Sequence, residues 1–148
     1  MKTRPPKAPR VPEKHVQAQI VALLRSIGAA VYVLGRPPRK VTARMGTGQT
    51  PGIPDLYVVL PEAPVPLPNP NASAGWSVMR NGKWTMGAHG LWIEVKAHGG
   101  RLRPEQVEFA RLCALAGCPH LVGGVDAVLA YLQAHGYVKE VPHYRRTA

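Results

Sequence analysis

The strongest constraint on the fold is a series of short apolar runs, each bounded by Pro, Gly or charged residues. Three runs rich in β-branched and aromatic residues cover 30–34, 55–60 and 91–97, and a fourth covers 120–123. Runs of this length and composition are typical of strands. The sequence therefore predicts four strands, and three of them follow one another before the chain turns helical again.

Helical patterns precede the first strand and flank the fourth. The first helix carries one apolar stripe at helical spacing, formed by Val16, Ile20, Leu23, Leu24 and Ile27. Pro104 suits the first turn of a second helix that Gly117 ends, and Asp126 suits the cap of a third. The order α-β-β-β-α-β-α predicts an α/β protein with a four-stranded mixed sheet flanked by helices.

The chain of 148 residues has the length of one domain with a single core. Residues 1–12 are rich in Pro, Lys and Arg, and we predict a disordered basic arm there. The predicted domain covers 13–138, and 139–148 form a basic tail.

A long insertion at 61–90 separates the second strand from the third. Its first half is rich in Pro, Asn and Ala, whereas Asn81 and Gly82 lie between alternating residues and predict a hairpin. Trp76 and Trp84 in this insertion either stack on an unpaired base or pack within the hairpin itself.

The charge is strongly positive. Nineteen Lys and Arg residues against eight Asp and Glu residues give a net charge of +11 and a pI near 10.3. Such a chain attracts polyanions, which favours nucleic acid as the partner over a solvated basic surface without a specific role. No apolar run approaches the ~20 residues of a membrane span. We therefore expect a cytoplasmic protein that binds neither a membrane nor an organic cofactor.

Two carboxylates and one amine occupy the ends of the second and third predicted strands. Asp55 opens one strand, and Glu94 and Lys96 share one face of the other because strand side chains alternate. If these strands are neighbours, Asp55 and Glu94 converge and suit Mg²⁺ or Mn²⁺. The simpler alternatives are a turn carboxylate at Asp55 and a solvated ion pair between Glu94 and Lys96.

These residues belong to a longer pattern. The chain reads GIPDL at 52–56, IEVK at 93–96, a glycine turn at 99–100 and Gln106 early in the next helix. This pattern resembles the VRR-NUC branch of the PD-(D/E)XK nuclease superfamily. The resemblance covers about residues 12–135 and implies a restriction-endonuclease-like αβββαβ core.

The resemblance also implies roles for individual residues. The implied metal ligands are Asp55, Glu94, the Val95 carbonyl and Glu13. Lys96 would orient or activate the attacking water, and Gln106 would lie beside the site and complete the catalytic set. Two of these residues have ordinary alternatives, because Glu13 suits the first turn of any helix and Gln106 suits a helix surface.

Basic residues lie in the loops that flank the predicted metal site. As a group they are predicted to contact DNA phosphates, and they are Arg36, Arg39, Lys40, Arg44, Arg101 and Arg103.

The resemblance implies a metal-dependent DNA endonuclease. Stand-alone, phage-type members of this family cut branched DNA, including Holliday junctions, often as dimers, and we expect a homodimer here. A flap, nicking or restriction-like nuclease remains an alternative, as does a non-catalytic DNA-binding module on the same fold. The long insertion and Arg103, where the family often has a capping Ser, depart from the family pattern.

Overall fold

The structure is a computed structural model that describes residues 11–34, 50–69 and 75–139. The predicted arm at 1–12 and tail at 139–148 thus lie outside the described residues, apart from positions 11, 12 and 139. The elements in chain order are α1 (Glu13–Ser26), β1 (Ala30–Val33), β2 (Leu56–Leu60), β3 (Ser77–Arg80), β4 (Lys83–Met86), β5 (His89–Val95), α2 (Pro104–Ala116), β6 (His120–Gly123) and α3 (Val125–Ala134).

Four of the strands form one mixed sheet in the order β1-β2-β5-β6. The pairs β1·β2 and β2·β5 are antiparallel, whereas β5 and β6 are parallel because α2 carries the chain back between them. This confirms the predicted α/β class with a four-stranded mixed sheet and flanking helices.

One face of the sheet packs against α1 and α3 and holds the main core. Alternate residues of β2 and β5 point to this face and are buried, which is the pattern of strands covered on that side. The helices contribute apolar stripes to the same cluster. Its largest fully buried members include Ile20, Leu24, Leu56, Leu60, Leu91, Ile93, Val128 and Leu132.

The opposite face carries aromatic side chains and meets α2. Trp92 on β5 makes an edge-on contact with Phe109 of α2 at a ring-centroid distance of 5.4 Å. Phe109 also lies 5.6 Å from His120 on β6. Helix α2 is therefore seated over the β5–β6 half of this face.

The insertion forms a hairpin at the end of the sheet remote from the predicted site. Strands β3 and β4 pair around Asn81 and Gly82, which both have positive φ, as a type I′ turn requires. Trp76 stacks on the buried ring of His89 at 5.5 Å, whereas Trp84 stays 41% exposed. The predicted hairpin is confirmed, and Trp76 has a packing role.

The first half of the insertion also packs against the hairpin. The backbone N–H groups of Ala63 and Leu67 donate to the carbonyls of Met86 and Trp84, and both Ala63 and Leu67 are buried. Because β4 leads into the start of β5, the hairpin is separated from Glu94 by about 17 Å of strand.

Several element boundaries differ from the sequence prediction. β1 ends at Val33 and β2 begins at Leu56, so Leu34 and Asp55, predicted within strands at 30–34 and 55–60, lie just outside them. The third strand of the sheet runs from His89 to Val95 rather than over 91–97, so Lys96 lies just beyond its end. The predicted cap Asp126 is also wrong, because the N-cap residue of α3 is Gly124, two residues earlier, and Asp126 lies in the first turn of the helix. Across the described ranges, no helix combines the length and apolar character needed to cross a membrane.

A matched pair of leucine substitutions tests this packing. Leu91→Ala removes a fully buried side chain and should lower the free energy of unfolding by about 2–5 kcal/mol. Leu115→Ala makes the same chemical change at a side chain that is 73% exposed, and should alter it by less than about 0.5 kcal/mol. Urea denaturation measures both; equal losses would contradict the described core.

Candidate active site

Asp55 and Glu94 meet because β2 and β5 pair in one particular register. Leu56 lies opposite Ile93, so the next residues along the two strands, Asp55 and Glu94, face each other on the α2 side of the sheet. The Val95 N–H donates to Asp55 Oδ2 at 2.9 Å. Asp55 is therefore tied to a strand 40 residues away rather than serving only its own turn.

Glu94 is the buried centre of a hydrogen-bond network. Its side chain is 2% exposed, and Oε1 accepts from Lys96 Nζ at 2.8 Å and from Gln106 Nε2 at 2.6 Å. Gln106 Oε1 in turn accepts from the Arg103 N–H at 2.9 Å, at the start of α2. The ion pair of Glu94 with Lys96 is thus buried, which contradicts the alternative of a solvated strand face.

The second carboxylate oxygen of Glu94 has no partner. Oε2 is buried and makes no hydrogen bond, and no other described buried side-chain atom is left in this state. Buried polar atoms are normally paired, because leaving one unpaired costs about 1–3 kcal/mol. The Asp55 carboxyl group neighbours Glu94, so a cation, or a proton shared by the two carboxyl groups, is the partner that this chemistry suits.

Burial raises the pKa of the Glu94 carboxyl above its usual value. The hydrogen bond from Lys96 acts in the opposite direction, and the nearby Asp55 carboxylate raises the pKa further through like-charge repulsion. Without a cation, the protonated form of Glu94 therefore persists to higher pH than that of an ordinary glutamate, whereas a divalent cation would favour the ionised form.

A cavity of about 520 Å³ opens over these residues between the sheet, α1 and the start of α2. Four of the chain's eight acidic residues line it, and these are Glu13, Asp55, Glu94 and Glu105. Lys96 and Arg103 are its cationic residues. In a chain of net charge +11, this concentration of carboxylates in one cavity is marked.

Gly52 brings the loop before β2 against the first turn of α2. Its φ is +86°, and a Cβ at this position would lie 2.5 Å from the backbone oxygen of Glu105. Only glycine allows both the backbone conformation and the close approach. This contact positions the loop before Asp55 against the first turn of α2, which carries Gln106.

The structure brings together most of the predicted site residues. Asp55, Glu94, Lys96 and Gln106 lie in one network, and Glu13 and Arg103 lie on the wall of its cavity. Gln106 contacts this network directly, because its Nε2 donates to Glu94 Oε1, and its predicted part in catalysis stays a prediction.

The Val95 carbonyl points toward the Asp55 side of the strand. The Lys96 N–H donates to Gly123 on β6, and the Val95 carbonyl belongs to the same trans peptide unit, so it points the opposite way. Its role as a ligand stays a prediction.

The predicted DNA contacts are placed only in part. Arg101 is exposed in the turn before α2, next to the cavity residue Arg103. The remaining four predicted contacts lie outside the described residues, and they are Arg36, Arg39, Lys40 and Arg44.

The donor set fits a hard divalent cation. Asp55 and Glu94 supply carboxylate oxygens, one of them unpartnered, and a backbone carbonyl faces the same side. In the described parts of the chain, no group of three or more His, Cys, Asp or Glu residues lies close enough together to hold a metal ion. Glu13 therefore does not form a three-carboxylate cluster with Asp55 and Glu94. Mg²⁺ commonly binds through one or two carboxylates, with water and substrate oxygens filling the other positions.

Sequence reasoning missed two features of the site. The contact of Gly52 with Glu105 depends on how a loop meets a helix, and no local pattern encodes it. Tyr32 and Tyr57 lie opposite each other on the face that carries Asp55, a pairing that two aligned strands would have suggested.

Gly52→Ala and Gly28→Ala form a matched pair that tests the loop. Both glycines have positive φ, +86° and +82°, but a Cβ at Gly28 would meet nothing within 4 Å. Gly28→Ala should cost about 1–2 kcal/mol of unfolding free energy through its backbone conformation alone. Gly52→Ala should cost about 1–3 kcal/mol more, because the methyl group overlaps α2. Equal costs in urea denaturation would contradict the contact.

The raised pKa of Glu94 predicts a pH dependence in the presence of a chelator. From pH 4.5, the ordinary value, up to the raised pKa, the folded state holds a proton that the unfolded state releases. Unfolding free energy should therefore fall as pH rises through this window. Glu94→Gln removes the titrating group, so the difference between wild type and variant isolates the effect. If the difference in unfolding free energy between wild type and Glu94→Gln is constant, or rises with pH, the prediction is wrong.

The chain matches no protein-family model, no curated protein sequence and no solved structure.

Proposed function

We propose that this protein is a Mg²⁺- or Mn²⁺-dependent DNA endonuclease that hydrolyses phosphodiester bonds in branched DNA. The observation that carries the proposal is the unpartnered, buried Oε2 of Glu94 beside Asp55. A protein interior keeps such an oxygen at a cost, and divalent-cation binding is the function that gives it a partner.

The arrangement supports hydrolysis rather than cation binding alone. Asp55 and Glu94 would hold the cation, which when bound supplies charge to polarise the scissile phosphate. Lys96 lies 2.8 Å from Glu94 and is only 12% exposed, so its ammonium is fixed at the cavity wall, where it can orient a water or stabilise charge on the phosphate.

Gln106 acts on the position of Glu94. It bridges Glu94 Oε1 and the backbone N–H of Arg103, and thereby fixes the carboxylate relative to α2. With one oxygen held by two donors, Glu94 presents the other in a set direction.

The charge of the chain supports a nucleic-acid substrate. A net charge of +11 attracts a phosphate backbone, and Arg101 and Arg103 flank the cavity. The acidic cavity in this basic chain suits a site where a cation mediates between carboxylates and phosphate.

The choice of branched DNA and the finer fold assignment rest on the resemblance. The GIPDL and IEVK motifs support a restriction-endonuclease-like core that resembles the VRR-NUC type. The resemblance to stand-alone, phage-type members of that family implies junctions as substrates. A homodimer would set two sites against two strands of a symmetric junction.

A cleavage panel with matched variants tests the proposal. Four-way junction, flap, duplex and single-stranded DNA are each incubated with Mg²⁺ or Mn²⁺. Asp55→Asn and Lys96→Ala should reduce junction cleavage by at least about 10²–10³-fold and leave DNA binding within a few-fold. Lys83→Ala, an exposed lysine on the remote hairpin, is the control and should cleave like wild type.

The possible results of the cleavage panel distinguish the proposed function from its alternatives. Cleavage of duplex at a fixed sequence, with junctions ignored, would replace the junction specificity by a restriction-like one. Binding of DNA without cleavage under either metal would replace the enzyme by a non-catalytic binding module. Cleavage that survives in Lys96→Ala would remove Lys96 from the catalytic set.

A further inference from the structure

We propose that the exposed sheet face around Tyr32 and Tyr57 is a stacking platform for unpaired nucleotides beside the metal cavity. This inference deepens the proposed function and rests on it for the reaction, but the platform is a binding site with its own test. Its occupant would be a single-stranded or splayed segment of the nucleic-acid substrate.

The platform exists because α2 covers only half of its sheet face. Phe109 of α2 contacts Trp92 and His120, on β5 and β6. On the β1–β2 half, Tyr32 is 55% exposed and Val59 is 39% exposed. Large apolar side chains are thus left at the surface next to a covered region.

The aromatic rings on this face form a row, and one end of the row packs against α2. Tyr32 lies 6.3 Å from Tyr57 with an interplanar angle of 30°, and Tyr57 lies 4.6 Å from Trp92. Trp92 is held in turn by Phe109. The row leads from the packed region under α2 out to the exposed edge strand β1.

Gly90 allows Tyr57 to lie close to the sheet. A Cβ at Gly90 would stand 2.6 Å from the Tyr57 hydroxyl oxygen, so any larger residue would displace the ring. Tyr57 thus packs over Gly90 and against Trp92, and these contacts restrict its ring and lower the entropy cost of stacking against this row.

The platform continues directly into the metal cavity. Asp55 directly precedes β2, two residues before Tyr57 and on the same side of the sheet, and Tyr32 is two residues from Leu34, which lines the cavity. Two residues of strand span about 7 Å. A nucleotide on the tyrosines would thus lie next to a phosphate held at the carboxylates.

The chemistry of this face favours nucleobases over an apolar protein surface. Tyrosine combines a flat ring with a polar hydroxyl, and exposed aromatic rings stack any base, whatever its identity. The net charge of +11 supplies attraction for the accompanying phosphates. Bases inside a continuous duplex are already stacked on each other, so the platform selects nucleic acid with unpaired positions.

Tyr32→Ala tests the platform with little risk to the fold, since the side chain is largely exposed. Fluorescence anisotropy compares the affinity of a labelled single strand, a fork with one unpaired arm and a matched duplex, all with a chelator so that no cleavage occurs. Tyr32→Ala should weaken binding of the single strand and the fork by about 5- to 150-fold, equivalent to about 1–3 kcal/mol. Duplex affinity should change less than about two-fold.

Two further variants make the result specific. Tyr32→Phe keeps the ring and should bind like wild type. Met79→Ala removes a side chain of similar exposure, 52%, from the remote hairpin and should bind like wild type as well.

Several outcomes would overturn the platform. Equal losses for duplex and single strand would point to general damage, and unchanged affinities for all three DNAs would show that no base stacks there. A change in sedimentation of Tyr32→Ala without any change in DNA affinity would assign the face to contact between copies of the chain.

The two proposals can fail separately. If the protein cleaves nothing but Tyr32→Ala selectively loses single-strand binding, the nuclease proposal fails and the platform stands. If cleavage depends on Asp55 and Lys96 while Tyr32→Ala behaves like wild type in binding, the platform fails and the nuclease proposal stands.

Discussion

The antiparallel pairing of β2 with β5 is the constraint on which the rest of the structure depends. This register buries Leu56, Ile93 and their neighbours on one face, and it also sets Asp55 opposite Glu94 on the other. A slip of one residue would expose the core side chains and separate the carboxylates in the same step. Because the core and the site share one register, the apolar pattern that stabilises the fold also positions the chemistry.

The network around Glu94 shows how a carboxyl group is held in the protein interior. Lys96 and Gln106 satisfy one oxygen, and the other is left without a hydrogen bond. Removing water from a carboxylate costs several kcal/mol, which the ion pair and hydrogen bonds only partly offset. The fold therefore carries a local instability at the point where a cation would be bound, as functional sites commonly do.

Much of the fold could be predicted from sequence patterns. The motifs also named most of the residues that line the candidate site. Alternation and run length locate β1, β2, β5 and β6, and Pro104 and Gly117 mark the ends of α2 correctly. Strand boundaries were less exact, since Lys96 has strand-like neighbours but lies outside the ladder.

Other features could not be read from the sequence because they depend on three-dimensional contacts. The burial of Glu94 depends on Gln106, which reaches it from a helix 12 residues further on. The contact of Gly52 with Glu105 joins a loop to a helix that follows much later in the sequence. Periodicity describes which face a residue occupies, whereas these contacts depend on how separate elements meet.

The gathering of four of the eight acidic residues around one cavity has a consequence for how ligands bind. In a chain of net charge +11, it makes the cavity a place where a polyanion meets repulsion. A divalent cation bound there would reverse the local sign, and a bound polyanion would in turn retain the cation. By thermodynamic reciprocity, each would tighten the other's equilibrium binding by the same factor, so loading of the two ligands would be cooperative even without any movement of the chain.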